Sequence, residues 1–307
     1  HILAEPQRTN LITYSEDFTS WVQIQDTTLT ANSTTSPSGE NDGTKFLSTG
    51  TGAKVRENFS AVSGTTYTVS VYCKNIDSTL IKILTYDGVN SLSYDATSEV
   101  NTSTWTRISF TFTAANTGSG QIQIARDLPD TESAYFWGAQ VEVGSYPTSL
   151  IPTSGSTVTR NQDIFTRDGI GSLINSTEGV LFAEVAALAN DGAHRRVSLS
   201  DGTNSNRIVI AYDAADKIQI FIIGAPAGSF TPNLVIDITL NAKIAVSWSS
   251  TEARLYVNGS PILVTSGDFS YTASTLTELK SEDGGGGNNF YGKVKQLQVY
   301  DTALTDT

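Results

Sequence analysis

Apolar and polar residues alternate in short runs along most of this chain, and the runs read as strands. In "TYTVSVYCK" Tyr67, Val69, Val71 and Cys73 fall on one face, the period-2 pattern of a half-buried strand. "TRISFTFTA" groups Ile108, Phe110 and Phe112, and "GQIQIAR" groups Ile122 with Ile124. "SAYFWGAQVEV" sets Tyr135, Trp137, Ala139, Val141 and Val143 on one predicted face. Gly, Asn, Asp, Ser or Pro bounds each run, as strand ends require. Convincing helical periodicity is nearly absent.

The pattern restarts after residue 160 with "GVLFAEVAAL", "RRVSLSDG", "NRIVIAYD", "KIQIFIIG", "AKIAVSWSS", "ARLYVNGSPI" and "GKVKQLQVYD". The Asn-Gly pair in "YVNGSP" predicts a tight hairpin. "IQIFIIGA" is apolar on both faces, which predicts a central strand covered on both sides. Closely spaced strands without crossover helices predict an all-β protein of two tandem antiparallel β-sandwiches, or jelly rolls. The expected division is 1–153 for the first sandwich, 154–168 for a connector and 169–307 for the second.

Between the halves lies "GSYPTSLIPTSGSTVTRN". Pro147 and Pro152 each fix the backbone and bias the preceding residue towards an extended shape. With Tyr146, Leu150 and Ile151 beside them, "SYPTSLIPT" is predicted to lie as an ordered strap on the first sandwich. Only the Ser/Thr/Gly run from Ser154 reads as connector.

Composition supports this picture: 38% of the 307 residues are hydrophobic and 16% charged, with polarity carried by Ser, Thr, Asn and Gln. The length is ample for two cores without staples. Acidic residues outnumber basic ones 31 to 19, for a net charge of −12. That field repels a phosphate backbone, so nucleic acid is not an expected partner. No apolar run is long enough to span a membrane, so membrane insertion is not expected either. The absence of Met suggests a processed product or a fragment of a longer polypeptide. The single cysteine, Cys73, forms no disulfide within the chain and reads as a buried, inert thiol.

Several stretches together carry a family resemblance. "NLITYSEDFTSW" (10–21), "GTTYTVSVYCK" (64–74), "STWTRISFTFTA" (103–114) and "AYFWGAQVEVGSYPTSLIPT" (134–153) resemble, in that order, the galactose-binding-like jelly rolls related to xylanase-associated carbohydrate-binding modules. The closing "WGAQ…PTS…IPT" looks like that of phage tail and virion fibre proteins. "EGVLFAEVAAL", "KIAVSWSSTEARLYVNGSPI" and "FYGKVKQLQVYDTALTD" resemble a laminin G-like, concanavalin A-type domain over about 170–307. The resemblance implies a virion surface protein, a tail or head fibre with host-surface glycan recognition. It also implies homo-oligomers (trimers above all) and other virion proteins as partners. The alternative is the non-catalytic carbohydrate-binding region of a secreted or cell-surface bacterial enzyme or adhesin.

Catalytic chemistry finds little support. His194, in the polar turn "DGAHRRV", has no partner in the sequence, and a buried Cys73 offers no Cys–His pair. Glycoside cleavage needs two carboxyls about 5–10 Å apart, a spacing that alternate strand residues would give. No Glu-x-Asp-x-Glu pattern occurs, and Glu184 is a single acid within a strand. The protein is therefore read as a non-enzyme.

Candidate binding residues are few. Trp21, Trp105, Trp137 and Trp248 fall at family-typical core positions and are read as core. Tyr86 and Tyr94, flanking the turn "DGVN", are candidate glycan contacts, though they could equally decorate a hairpin without a ligand. In the second half Asp201 and Asn206, with Asn204, sit in a predicted hairpin turn. Asp283, Asn288 and Asn289 lie in the Gly-rich loop "SEDGGGGNNFYG", where a plain flexible loop is the competing reading. No cofactor is required by the sequence. Calcium is a family expectation, with Glu16, Asp17 and Asp283 as candidate ligands. The closing strand, with Trp and Gly where relatives often carry acids, argues against it.

Overall fold

A computed structural model of the protein describes residues 2–213 and 216–304. Its elements are antiparallel strands and two single 3-10 turns, Phe18–Ser20 and Gly171–Leu173. Two compact units divide the chain: Gln7–Asn161, and His1–Pro6 together with Gln162–Thr307.

In the Gln7–Asn161 unit two five-stranded sheets enclose one core. The first runs in the order Thr106–Thr113, Thr66–Asn75, Ser133–Val143, Gly43–Ser48, Thr27–Thr34; the second runs Gln23–Gln25, Lys54–Ala61, Gly118–Ile124, Lys82–Tyr86, Ser91–Asp95. Tyr67, Val69, Val71 and Cys73 face inward, as their alternation predicts, and meet Val55, Ile83, Ile122 and Ile124 of the opposite sheet. Burial pushes the Cys73 thiol far above its ordinary range, which keeps it unreactive.

The closing strand departs from simple alternation. Ala134 and Phe136 face the core, then the register shifts between Trp137 and Gln140, and Ala139 and Val141 face the core. The predicted face of Tyr135, Trp137, Ala139, Val141 and Val143 is therefore split. Tyr135 and Trp137 lie on the outer face, and Val143 is exposed. A bulge at Gly138, where φ is +61°, makes the switch. Glycine reaches that region without the Cβ penalty of other residues.

The strap is ordered as expected: Tyr146, Thr148, Ile151 and Thr153 are buried. It closes over Gln140 and Glu142, both 0% exposed. Glu142 accepts from Thr148 N and Oγ1 (2.8 Å each) and from Gln140 Nε2 (2.6 Å), with Arg8 Nε 3.6 Å away. Ile151 N donates to Gln140 Oε1 at 2.7 Å. The run beyond Ser154, expected as connector, continues this closure: Val158–Arg160 pairs with Arg8–Asn10, and Gly155 N donates to Thr13 O at 2.8 Å.

The other unit is a sandwich of two six-stranded sheets. One runs Ile2–Ala4, Gly292–Tyr300, Gly179–Ala187, Ala242–Trp248, Glu252–Val257, Ser260–Ser266; the other runs Thr166–Arg167, Glu278–Lys280, Arg195–Ser200, Arg207–Tyr212, Lys217–Ile223, Asn233–Val235. Trp248, Leu181, Val197, Ile208, Ile220 and Ile244 share its core. The Asn-Gly hairpin forms, with φ of 51° at Asn258 and 83° at Gly259.

Two expectations change here. Ile2–Ala4, within the range expected for the first sandwich, pairs instead with Gly292–Tyr300. Glu5 and Asp163 exchange bonds where the chain leaves and re-enters this unit: Glu5 N to Asp163 Oδ2 at 2.9 Å, and Asp163 N to Glu5 O at 2.8 Å. In chain order, the Gln7–Asn161 unit is thus inserted after a first strand of the other. "KIQIFII" is not central but next to the edge strand Asn233–Val235. Ile218, Ile220 and Ile222 face the core, while Phe221 lies under the Arg196 guanidinium, 5.1 Å from its ring centre.

Replacing Gly138 with alanine is expected to destabilise the Gln7–Asn161 unit by about 1–2 kcal/mol, the cost of a left-handed residue; urea unfolding followed by tryptophan fluorescence would measure it. Glu142→Ala removes the acceptor that holds Thr148. It is expected to cost about 1–3 kcal/mol and to open the strap to limited proteolysis near residues 146–153.

Candidate functional site

The outer face of the first sheet carries a grid of rings and cations. It follows from register. Arg107 pairs with Tyr72, and Tyr72 with Trp137, in one row across three strands. One step along, Tyr135 pairs with Lys74 on one side and Lys45 on the other. Trp105 precedes Thr106, the partner of Cys73, and so stands beside Lys74. Tyr72, Lys74, Trp105, Arg107, Tyr135 and Lys45 are each half-buried.

Contacts within the grid are close. Lys74 Nζ sits 5.9 Å from the Trp105 ring centre and 5.5 Å from that of Tyr135, and the two rings lie 6.4 Å apart. Arg107 lies over Tyr72 at 5.4 Å, and Tyr72 packs on Trp137 at 5.4 Å. A cation within about 6 Å of a ring centre is held by the ring's quadrupole. Both indole N–H groups are used: Trp105 Nε1 donates to Thr35 O at 2.9 Å and Trp137 Nε1 to Asp42 Oδ2 at 3.0 Å. These bonds fix the two indoles, and Trp105 and Tyr135 remain half-buried on the face.

This corrects the reading of the tryptophans. Trp21 and Trp248 are core residues, as expected. Trp105 and Trp137 belong to the outer face, and Trp137 is buried there against Tyr72 and not in the core. Alternation held the signal: Trp105 and Arg107 fall out of phase with Ile108 and Phe110, and Tyr72 and Lys74 out of phase with Val71 and Cys73.

Beside Trp137, Glu16, Asp17 and Asp42 line a cavity of about 300 Å³ with Ala31, Asn32 and Thr44. Burial, reinforced by Asp42, raises the Glu16 carboxyl above its ordinary range. Asp17 is spent on the Phe18–Ser20 turn, accepting from Thr19 N at 3.0 Å and Ser20 Oγ at 2.6 Å. Asp283 belongs to the other unit. Among the described residues no three His, Cys, Asp or Glu side chains are grouped to hold a metal ion.

Tyr86 and Tyr94 do not form one platform. Ile83 pairs with Tyr94, and Tyr86 with Ser91, which sets the two rings on opposite faces. Tyr94 stacks on Phe110 at 4.9 Å beside the core. Tyr86 turns its hydroxyl to Gly88 O at 2.7 Å.

In the other unit the two predicted loops do meet. Arg207 Nη1 donates to both Asn204 Oδ1 and Asp283 O, and Arg196 Nη1 lies 3.7 Å from Asp283 Oδ2. The glycine loop is tied down, not loose: Asp283 accepts from Gly285 N (3.1 Å), Gly287 N (3.0 Å) and Asn288 Nδ2 (2.9 Å). Asp201 accepts from Thr203 Oγ1 (2.6 Å) and Asn206 Nδ2 (2.7 Å), and Asn289 Nδ2 donates to Tyr291 at 3.2 Å. Most of the polar atoms proposed for a ligand hold the loops themselves. Glu184 is bound by Lys295 Nζ and Asn241 Nδ2 at 2.6 Å each, and His194 is exposed in a turn.

Residues 183–307 match the family model described as the concanavalin A-like lectin/glucanases superfamily. No curated protein matches the chain. Solved β-sandwich structures are similar to it at low identity. The Ruminococcus gnavus IT-sialidase CBM40 bound to α2,6-sialyllactose is 12% identical, with 46% of this chain and 94% of that one covered and a TM-score of 0.38. The CBM22 tandem of Paenibacillus barcinonensis Xyn10C is 10% identical over 99% and 100%, with a TM-score of 0.33. A tail fibre protein of an E. coli phage is 13% identical over 99% and 41%, with a TM-score of 0.28. The protein is an all-β chain of antiparallel jelly-roll sandwiches, and its residues 183–307 are similar to the concanavalin A-like family.

Burial pushes the Asp201 and Asp283 carboxyls up, and their hydrogen bonds more than offset this, so both lie below the ordinary carboxylate range. Depressed carboxyls stabilise the fold above the unfolded pKa of about 4 and lose that contribution as pH falls through the lower folded values. Urea midpoints are expected to be flat above about pH 5 and to drop below about pH 4, with a shallower drop in Asp283→Asn.

Proposed function

We propose that the protein recognises glycans without cleaving them, and does so as a display protein of a virion surface. The observation that carries the recognition is the grid. Trp105, pinned by its indole N–H, and the half-buried Tyr135, tilted 49° to it, offer ring surface on which a sugar packs. Lys74, Arg107 and Lys45 beside them offer donors to its oxygens. Carbohydrate-binding-module-like and laminin G-like folds are consistent with this use. Glu184 is ion-paired with Lys295 at 2.6 Å, and His194 is exposed.

The virion part of the proposal rests on the "WGAQ…PTS…IPT" close of the first sandwich. In a fibre, other virion proteins and further copies of the chain, as a trimer, would be its partners, and host-surface polysaccharide its target. Electron microscopy of particles from the source, with an antibody to this chain, is expected to label a fibre or spike; label on a secreted enzyme would reassign it.

On a glycan array the purified chain is expected to bind a defined set of polysaccharides. Trp105→Ala is expected to weaken that binding by about tenfold, or about 1.4 kcal/mol, without lowering the urea midpoint by a comparable amount. Binding unchanged in Trp105→Ala would move the site away from the grid.

A further inference from the structure

Resting on the reading of the grid as a glycan site, we infer that its ligand is an acidic glycan, one whose sugars carry carboxylate or sulfate groups. The charge of the face is the first reason. The chain has 31 acidic residues against 19 basic. Yet the two grid rows hold Lys74, Lys45 and Arg107 and no carboxylate. The nearest acid shown in contact with the grid, Asp42, stands at its edge and accepts from Trp137.

The second reason is that these cations have no carboxylate partner among the described residues. Ion pairs elsewhere hold Arg8, Arg126, Arg195, Arg196, Arg254, Lys280 and Lys295. Among the described residues Lys74, Lys45 and Arg107 make none. The one hydrogen bond of the Arg107 guanidinium is Nη2 to Ser70 Oγ at 2.9 Å, and Arg107 Nε is buried without a partner. The Lys74 ammonium lies against the Trp105 and Tyr135 rings.

The third reason is placement. Rings displace water from one side of Lys74 and of Arg107, so an arriving anion meets a partly desolvated charge, where attraction is stronger than in bulk water. A guanidinium and an ammonium standing on adjacent strands suit a carboxylate or sulfate by charge-assisted hydrogen bonds. The rings between them suit the sugar that bears it. A neutral glycan would meet these donors with hydroxyl oxygens alone and bring no charge to pair with theirs.

The test uses the full chain and matched polymers: polygalacturonate against its carboxyl-reduced form, and dextran sulfate against dextran, by isothermal titration calorimetry. At least one acidic polymer is expected to bind about tenfold or more tighter than its neutral partner, and more weakly as salt rises from about 50 to 500 mM. The polymer pair that responds assigns carboxylate or sulfate. In the double variant Lys74→Gln/Arg107→Gln that preference is expected to vanish, while circular dichroism and the urea midpoint stay close to wild type. Equal binding of acidic and neutral polymers, lost in Trp105→Ala, would overturn the acidic assignment and leave the glycan site standing. An acid preference that survives the double variant would overturn the assignment too, by placing the anion elsewhere. Failure of all four polymers, together with a blank glycan array, would overturn the glycan reading itself.

Discussion

Everything on the outer side of the ring-bearing sheet depends on one β-bulge. Had the Ser133–Val143 strand run on regularly from Phe136, Gln140 and Glu142 would point into the core. Burying an ionised carboxylate there without partners costs many kcal/mol. Gly138, at φ +61°, inserts the extra residue that turns the following positions over, so that Ala139 and Val141 enter the core instead. A side chain at this position would meet Leu150 Cδ2 at 3.0 Å and Tyr72 at 3.3 Å as well as the left-handed strain. The bulge therefore fixes both the hydrophobic face and the outer face in one step.

The outer face is then divided by the strap. Its C-terminal half, Gln140 and Glu142, is roofed by Thr148 and Ile151, whose backbone and hydroxyl groups complete the buried hydrogen bonds. Asn10 and Arg8 add to this network: Asn10 Nδ2 donates to Ile151 O at 3.0 Å, and the Arg8 charge lies 3.6 Å from Glu142. The other half, Tyr135 with Tyr72, Lys74 and Trp105, has no roof and stays half-exposed. Leu150, which packs on Gly138, marks the border between the covered part and the open part.

Much of the fold was legible because period-2 alternation reports core faces directly, as at Tyr67–Cys73 and Ile122–Ile124. The strap was legible because two prolines and three apolar residues in nine positions are poor linker chemistry. The bulge was not, since a glycine inside an aromatic strand is equally compatible with unbroken alternation. The pairing of Ile2–Ala4 with Gly292–Tyr300 was not either, because three-residue edge strands carry almost no pattern and the pairing spans nearly the whole chain. The grid was half-legible. Trp105 and Arg107 sit out of phase with the core, but tryptophan's large apolar area favoured the interior. Lys74 and Tyr135 become neighbours only through strand pairing.

The two sets of polar candidates differ in what is left for a ligand. In the loops of the second unit, Asp201 and Asp283 are saturated by Thr203, Asn206, Gly285, Gly287 and Asn288, so an arriving sugar would have to break bonds already made. In the grid, the bonds that exist anchor the rings by their indole N–H groups, and the lysine ammonium rests on ring faces without a hydrogen-bonded anion. Groups held in place beforehand lose little freedom on binding, and flat rings on a sheet lose less than side chains on loops. An open site must keep part of its chemistry unsatisfied in the free protein. Among the described candidates, the outer sheet face meets that condition and the loops do not.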